Sequence, residues 1–352
     1  MLASRFPTLS QHLIEERRRF PEASGCLNGL IFDIVGACKI IASQVGSGLL
    51  AWPDLAAQEL GNSECQTLQK AAHDIFAQTI MGSGNIAGLA SQISREVESV
   101  EQYALRGRYL LIIDPLDGAS NIDLNVPMGS IFSILRAPEG DRPLKENDFF
   151  QPGSAQVAAG YVLYGPSTTL MLTVGNGVQG FTLDSLTGDF FLTHPDIVIP
   201  PNTDEFAINA SYSRFWGAPI KRYIDECIAG ETGPRKKDFN MRWIDSTVAD
   251  AHRVLMRGGV FMAPLGNNNP HKQDALRLLY ECNPIGMLVE QAQGVIGTGT
   301  KPLLTILPES LHQRTTVIFG SKNEVDRIQR YHTTPQTNAE HSPLFGRRGL
   351  FR

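Results

Sequence analysis

Apolar residues near the N-terminus recur every three to four positions, a period that predicts two amphipathic helices over residues 8–19 and 28–45. A third helix is predicted over 65–81. From residue 109 to residue 191 the pattern changes to short β-branched and aromatic runs separated by Gly, Pro and Asn. Such runs are typical of strands, so the middle of the chain is predicted to form a mixed sheet.

A proline-rich segment over residues 194–204 interrupts this pattern and predicts a domain boundary. The predicted division is an N-terminal domain over residues 1–200 and a C-terminal α/β domain over 201–332, in which strands and helices alternate. Residues 333–352 are rich in Thr, Pro, Asn and His and are predicted to form a flexible tail.

Helix signals are clear in the second half of the chain. Ser246 is predicted to cap a helix that ends at Gly258, and Pro284 suits the first turn of another. Ser321 and Glu324 have the spacing of a capping box, which predicts one more helix after them.

Composition narrows the class of protein. The chain has 352 residues, of which 42% are hydrophobic, so it can bury a large core. Its 31 Lys and Arg are outnumbered by 36 acids, which argues against a nucleic-acid partner. No run of eighteen apolar residues occurs, residues 1–11 contain no long continuous apolar stretch, and the five cysteines form no C-x-x-C pair. We therefore expect a cytoplasmic protein without a membrane partner.

Candidate chemistry lies in residues 109–118. An unbroken apolar strand over 109–113 is predicted to end in a tight turn at Pro115 and Gly118. The turn would aim Asp114 and Asp117 at one point, and paired carboxylate oxygens followed by accessible backbone amides suit Mg²⁺ holding a phosphate. Taken alone, two such aspartates are explained equally well by turns in which each carboxylate bonds its own backbone.

The longer motif is more specific. D-P-L-D-G-A-S-N-I-D at residues 114–123 resembles the metal-binding signature of the lithium-sensitive phosphatase superfamily, in the form found in class 1 fructose-1,6-bisphosphatases. Matching segments are Q-V-A-A-G-Y at 156–161, V-A-D-A-H-R at 248–253, Y-E-C-N-P at 280–284 and L-H-Q-R at 311–314. The resemblance covers about residues 10 to 332.

This resemblance implies an α/β, two-domain sugar-phosphatase fold of alternating helix and sheet layers. It also implies Mg²⁺-dependent hydrolysis of fructose 1,6-bisphosphate to fructose 6-phosphate, with Mn²⁺ as an alternative ion, and assembly into a homotetramer. Carried over by position, the residues that would bind metal and serve catalysis are Asp114, the Leu116 carbonyl, Asp117 and Glu281. The residues that would bind substrate are Asp117, Gly118, Ala119 and Ser120 at the 1-phosphate, and Asn209, Tyr212 and Arg242 at the 6-phosphate.

Several positions depart from the family pattern. The family's Ser-Glu-Glu is Ser91-Gln92-Ile93 here, so Gln92 is a degenerate metal-ligand position, and the family's K-x-L-D ends in Gln69. In the sugar pocket, Ala263 and Ala275 replace a tyrosine and a lysine, and Lys272 is the nearest substitute for the lost cation. We therefore expect fewer ions than the family norm.

Three functions stay open at this point. The first is a sugar-bisphosphate phosphatase that is weak or retargeted. The second is a catalytically silent homologue with a regulatory or binding role. The third is an inositol-phosphatase-like enzyme, which the segments at 156–161, 280–284 and 311–314 favour less than the bisphosphatase.

Overall fold

The computed structural model describes residues 6–19, 25–52, 62–100, 106–140, 142–266 and 275–334. Within these ranges the α-helices are α1 (Leu9–Arg19), α2 (Cys26–Gly46), α3 (Asn62–Ile80), α4 (Ala218–Ile228), α5 (Thr247–Arg257), α6 (Asn283–Gln291) and α7 (Lys322–Thr333). All three helices predicted before residue 82 are confirmed within a few residues of their expected ends. The predicted flexible tail lies outside the described residues from position 335 onward.

The first sheet has eight strands in the order β2-β1-β3-β4-β5-β6-β7-β8. Only the β1–β3 pair is parallel. The predicted mixed sheet is therefore confirmed, with long central strands that are buried on both faces. Its strands are β1 (Ile86–Ser91), β2 (Glu98–Ser99), β3 (Tyr109–Asp117), β4 (Met128–Arg136), β5 (Ala158–Tyr164), β6 (Thr168–Thr173), β7 (Gln179–Asp184) and β8 (Asp189–His194).

The second sheet has five strands in the order β10-β9-β11-β13-β12. β9 pairs in parallel with β10 and β11, whereas β13 runs antiparallel to its neighbours β11 and β12. The strands are β9 (Glu205–Ile208), β10 (Asn240–Met241), β11 (Val260–Ala263), β12 (Val295–Gly297) and β13 (Val317–Gly320).

Helices and sheets alternate in layers, as the fold class predicted. One face of the first sheet packs on α2 and α3, and the central layer between the two sheets holds α5 and α6. The outer face of the second sheet is covered by α4 and α7. Each sheet therefore buries both faces, which explains why its inner strands are apolar at consecutive positions rather than alternating ones.

Two local predictions were wrong in detail. Strand β3 does not end at residue 113; it continues to Asp117 because β4 resumes pairing after an irregularity, matching Asp114 to Ile131 and Asp117 to Gly129. Ser321 precedes α7 without capping it through its side chain, because its hydroxyl accepts the backbone N–H of Gly259 at 3.1 Å.

Helix α2 is the one candidate membrane span that the described residues contain, by length and composition alone. Seven of its side chains, from Leu30 to Ile41, are buried against α3 and the first sheet. A helix that packs into a protein core can have the same length and composition, and packing accounts for the apolar character of these seven positions. Phe32 and Ile40 on the same helix are exposed.

Gly129 lets α5 approach the first sheet. A Cβ at this position would lie 2.4 Å from the Val162 carbonyl oxygen and 2.7 Å from Val248 Cγ1. We expect Gly129→Ala to lower the free energy of unfolding by about 1–3 kcal/mol, because overpacking forces backbone shifts. Urea unfolding measures this. Gly46→Ala is the control, because its new Cβ would meet nothing within 4 Å, and an equal loss in both variants would contradict the close-approach explanation.

Candidate metal and phosphate site

Three acids from two distant parts of the chain meet at the end of β3. Asp114 and Asp117 come from that strand, and Glu281 comes from a π-helical turn over Leu278–Cys282 that leads into α6. One oxygen from each carboxylate lies within 4.8 Å of the others. The structure therefore brings together Asp114, Asp117 and Glu281, the three acids predicted to bind metal.

Asp114 is the most isolated of the three. It is 1% exposed, and neither carboxylate oxygen has a hydrogen bond of standard geometry to the described residues. Burial, followed by the negative charges of Asp117 and Glu281, raises the pKa of Asp114 well above its ordinary value. The charge of Arg277 and the Leu116 backbone amide oppose this rise in pKa. A buried carboxylate with so few donors is costly, so this position favours either a proton or a cation.

Glu281 is oriented by its own turn. Its Oε2 accepts the backbone N–H of Arg277 at 2.7 Å. Burial, and then the charge of Asp117, raises the pKa of Glu281 to about 7, although Arg277 and Arg314 oppose the shift. A single π-turn of this kind is often found at functional sites.

Asp117 is held by the start of α5. Its Oδ2 accepts the Ser246 hydroxyl at 3.1 Å and the Val248 backbone N–H at 3.0 Å. These bonds partly offset the rise in the pKa of Asp117 that burial causes. No local pattern predicts this link, because Ser246 and Val248 follow Asp117 by more than a hundred residues.

The three acids fit one divalent cation. Their oxygens are hard ligands at close range, and the unpartnered oxygens of Asp114 are what a coordinated ion would satisfy. Asp114, Asp117 and Glu281 are the residues that would hold it.

A sharp turn after Asp117 presents backbone amides beside the acids. Gly118 adopts φ +75°, which L side chains rarely do, and opens a single 3₁₀ turn over Ala119–Asn121. The Ala119 side chain is buried in the core, so only its backbone can reach a ligand, whereas Ser120 is exposed at the pocket. The first N–H groups of such a turn have no partner within the turn and favour an anion.

The positions at which this chain has neutral residues instead of the family's acids lie beside the metal-site acids. Gln69, Gln92 and Ile93 line a cavity of about 800 Å³ together with Glu281. The Gln69 amide lies 3.5 Å from the Leu116 carbonyl oxygen, the atom predicted to bind metal. At these three positions the chain has two amide side chains and one aliphatic side chain, whereas the family pattern has carboxylates.

A second cavity of about 500 Å³ opens from Asp117, Gly118 and Ser120. Asn209 and Tyr212, both predicted to bind substrate, line it. The side-chain oxygen Oδ1 of Asn209 accepts the Ser211 backbone N–H at 3.1 Å, which leaves the side-chain NH₂ group as the available donor.

The predicted ligand Arg242 does not line this cavity within the chain. Its side chain is 54% exposed, and its Nε lies 3.8 Å from Glu205 Oε1. A role across a subunit boundary stays a prediction. Lys272 lies outside the described residues.

Sequence analysis did not identify two acids that line the 500 Å³ cavity, Asp245 and Asp250. Asp250 is 1% exposed, and burial raises its pKa to about 7. Asp245 has φ +64° and is exposed at the rim. Acids are common in the first turn of a helix, so the position of Asp250 in the sequence does not indicate a functional role. His252 bonds the Tyr161 hydroxyl at 3.0 Å, and burial lowers the pKa of His252 to about 4.

Comparison with known proteins identifies the family of the chain. The family model "Fructose-1-6-bisphosphatase, N-terminal domain" matches residues 7–195, and "Fructose-1-6-bisphosphatase, C-terminal domain" matches residues 199–333. A class 1 fructose-1,6-bisphosphatase of Hydrogenophilus thermoluteolus is 54% identical over 98% of this chain and 97% of its own length.

The chain belongs to the class 1 fructose-1,6-bisphosphatase family. A second relative, from Methylibium petroleiphilum, is 50% identical over 98% of the chain. Among solved structures, the holo form of Leishmania major fructose-1,6-bisphosphatase superposes with a TM-score of 0.83 at 32% identity, covering 93% of this chain and 99% of that one. The predicted fold and family are confirmed.

We expect calorimetric titration with Mn²⁺ to find one tight site per chain. Asp117→Asn should weaken it at least about 100-fold, since altering even an outer-shell partner of a metal costs about 10–100-fold. Asp123→Asn is the matched control, because Asp123 belongs to the same motif but is exposed. Two or more tight sites would show that other residues have restored the family's ion cluster.

The metal-free protein should lose stability as pH rises through the range from 4.5 to about 7. The native Glu281 binds a proton more tightly than the unfolded one, so the unfolded state releases protons first. At pH 8, Glu281→Gln should therefore raise the melting temperature of the metal-free protein, and its free energy of unfolding should rise by at most about 3 kcal/mol. At pH 5 the substitution should change the melting temperature little. Exposed Glu309→Gln serves as the control; a wild-type stability that rises over this range would refute the assignment.

Proposed function

We propose that this chain hydrolyses a phosphate monoester of a sugar with the help of a bound divalent ion, Mg²⁺ or Mn²⁺. The observation that carries the proposal is the buried group of Asp114, Asp117 and Glu281 beside the turn at Gly118. Fructose 1,6-bisphosphate is the first substrate to test, because the curated relatives carry its name. We also propose a cytoplasmic homotetramer, on the same family grounds.

The chain's own residues bind and orient the phosphate. The backbone amides of Gly118, Ala119 and Ser120 and the Ser120 hydroxyl donate hydrogen bonds to the phosphoryl oxygens. Asn209 and Tyr212 hold the sugar. When bound, a divalent ion neutralises the phosphate and the departing oxygen. Water attacks phosphorus, and the ester oxygen leaves with a proton.

Water activation is the weak step. A general base must accept a proton from the attacking water, and neither Gln92, Ile93 nor Gln69 can do so. Removing an acid or metal ligand costs factors of about 10–100 or more, and losses within one catalytic unit do not simply multiply. We therefore propose slow turnover rather than none.

A catalytically silent regulatory protein is the second candidate. The contact between the Gln69 amide and the Leu116 carbonyl favours it, because a hydrogen-bond donor there competes with a cation for that oxygen. Phosphate release separates the two candidates. If release stays at background on several sugar phosphates with both Mg²⁺ and Mn²⁺, the enzyme proposal fails.

Restoring the acids should accelerate hydrolysis. We expect the triple variant Gln69→Asp, Gln92→Glu, Ile93→Glu to raise the rate of phosphate release at least about 10-fold, because it adds both ion ligands and a proton acceptor. The same triple variant carrying Asp114→Asn should return to background. An unchanged rate, with a second ion now bound, would place the limitation in the sugar pocket instead.

A further inference from the structure

Asp114 and Asp117 lie three residues apart on strand β3, which is an odd spacing for two side chains that meet. Successive side chains of a strand point to opposite faces of its sheet, so residues three apart lie on opposite faces of a regular strand. One oxygen of each acid nevertheless lies within 4.8 Å of the other. The strand must therefore depart from its regular alternation between these two positions.

A β-bulge provides that departure. Asp114 pairs with Ile131 on β4, and Asp117 pairs with Gly129. Three steps along β3 thus match two steps along β4, so β3 holds one extra residue. Ile131 and Gly129 share a face of the sheet, and a Cβ on Gly129 would lie 2.7 Å from Val248 of α5. The bulge therefore turns both acids toward the layer that holds α5 and α6.

Ser130 lies opposite the bulge and, because it alternates with its neighbours, points to the other face of β4. It is buried, and its Oγ donates a hydrogen bond to the Pro115 carbonyl oxygen at 2.7 Å. Pro115 has no backbone N–H, so the ladder loses a donor here, and a buried carbonyl left unpaired is costly. The Ser130 hydroxyl supplies that carbonyl with a partner from behind the two acids.

Tyr164 on β5 orients this hydroxyl, since its own OH lies 2.8 Å from Ser130 Oγ. A carbonyl oxygen only accepts, so the single proton of Ser130 goes to Pro115, and Tyr164 donates to Ser130. Burial raises the pKa of Tyr164 well above its ordinary value, so the phenol keeps its proton. The Tyr164 hydroxyl also shares a hydrogen bond with the Cys38 thiol of α2, which links the bulge to the helix layer.

We propose that Ser130 and Tyr164 are positioning residues of the metal site, whose paired hydroxyls hold the β-bulge that turns Asp114 and Asp117 to one ion. The inference rests on the proposed function, because it concerns the ion that this function uses. Neither Ser130 nor Tyr164 lines the two cavities beside the acids, so both act through the backbone of β3.

Calorimetric titration of the full chain with Mn²⁺ tests this role. Ser130→Ala removes the donor to Pro115, so we expect the dissociation constant to rise about 10-fold or more, as for the loss of other outer-shell partners. Ser133→Ala is the matched control, because Ser133 is also buried on β4 but pairs with Ile112, before the bulge. Ser130→Thr keeps the hydroxyl and should restore the wild-type affinity.

Urea unfolding of the same variants separates positioning from general stability. Ser130→Ala and Ser133→Ala each remove a buried hydroxyl, so both unfolding midpoints are expected to fall. Only Ser130→Ala should weaken Mn²⁺ binding under conditions in which every variant is fully folded. Equal Mn²⁺ dissociation constants in wild type and Ser130→Ala would show that the hydroxyl only stabilises the sheet, and would refute the inference.

Tyr164→Phe is the second variant, and it decides the question if Ser130→Ala does not fold. It should weaken Mn²⁺ binding less than Ser130→Ala does, because Ser130 keeps its bond to Pro115 but loses the group that orients it. The double variant should bind Mn²⁺ no more weakly than Ser130→Ala alone, since residues of one network are not additive. An unchanged dissociation constant in Tyr164→Phe would overturn the role of the pair.

Failure of the proposed function gives a different result. If wild type releases no phosphate from fructose 1,6-bisphosphate while Ser130→Ala still weakens Mn²⁺ binding, the phosphatase proposal fails and this inference stands. If wild type releases phosphate but Ser130→Ala and Tyr164→Phe leave the Mn²⁺ dissociation constant unchanged, the inference alone fails.

Discussion

The burial of three neighbouring carboxylates is the constraint on which the rest of this site depends. Asp114, Asp117 and Glu281 lie close together in a region from which water is largely excluded, and burial raises the pKa of each. A folded chain tolerates this arrangement only by protonating the acids or by binding a cation. Two of the acids are held in place by other parts of the fold. The Val248 backbone N–H at the start of α5 donates to Asp117, and Glu281 is part of a π-helical turn.

The surroundings of these acids are asymmetric. On one side, Gln69, Gln92 and Ile93 are neutral, so few ligands remain for further ions. On the other side, Asp245 and Asp250 add negative charge to the cavity beyond the phosphate turn. The three acids therefore lie between one cavity with a neutral wall at Gln69, Gln92 and Ile93 and a second cavity with further acids.

Much of this was predictable from local patterns. The motif at residues 114–123 identified the acids, and helical periodicity gave α1 to α3, because both signals lie within short stretches of sequence. The continuation of β3 through Asp117 was missed, since it depends on pairing with β4. The role of the Ser321 hydroxyl and the burial of Asp250 were missed for the same reason. Each is decided by residues distant in sequence, so neither leaves a pattern along the chain.

The number of ions held by the carboxylate group tests this account most directly. A crystal of the full chain soaked in manganese and inorganic phosphate should show, by anomalous scattering, a single strong peak between Asp114, Asp117 and Glu281. Two or three fully occupied peaks, extending toward Gln92, would contradict the account, as would three carboxylates with no ion among them.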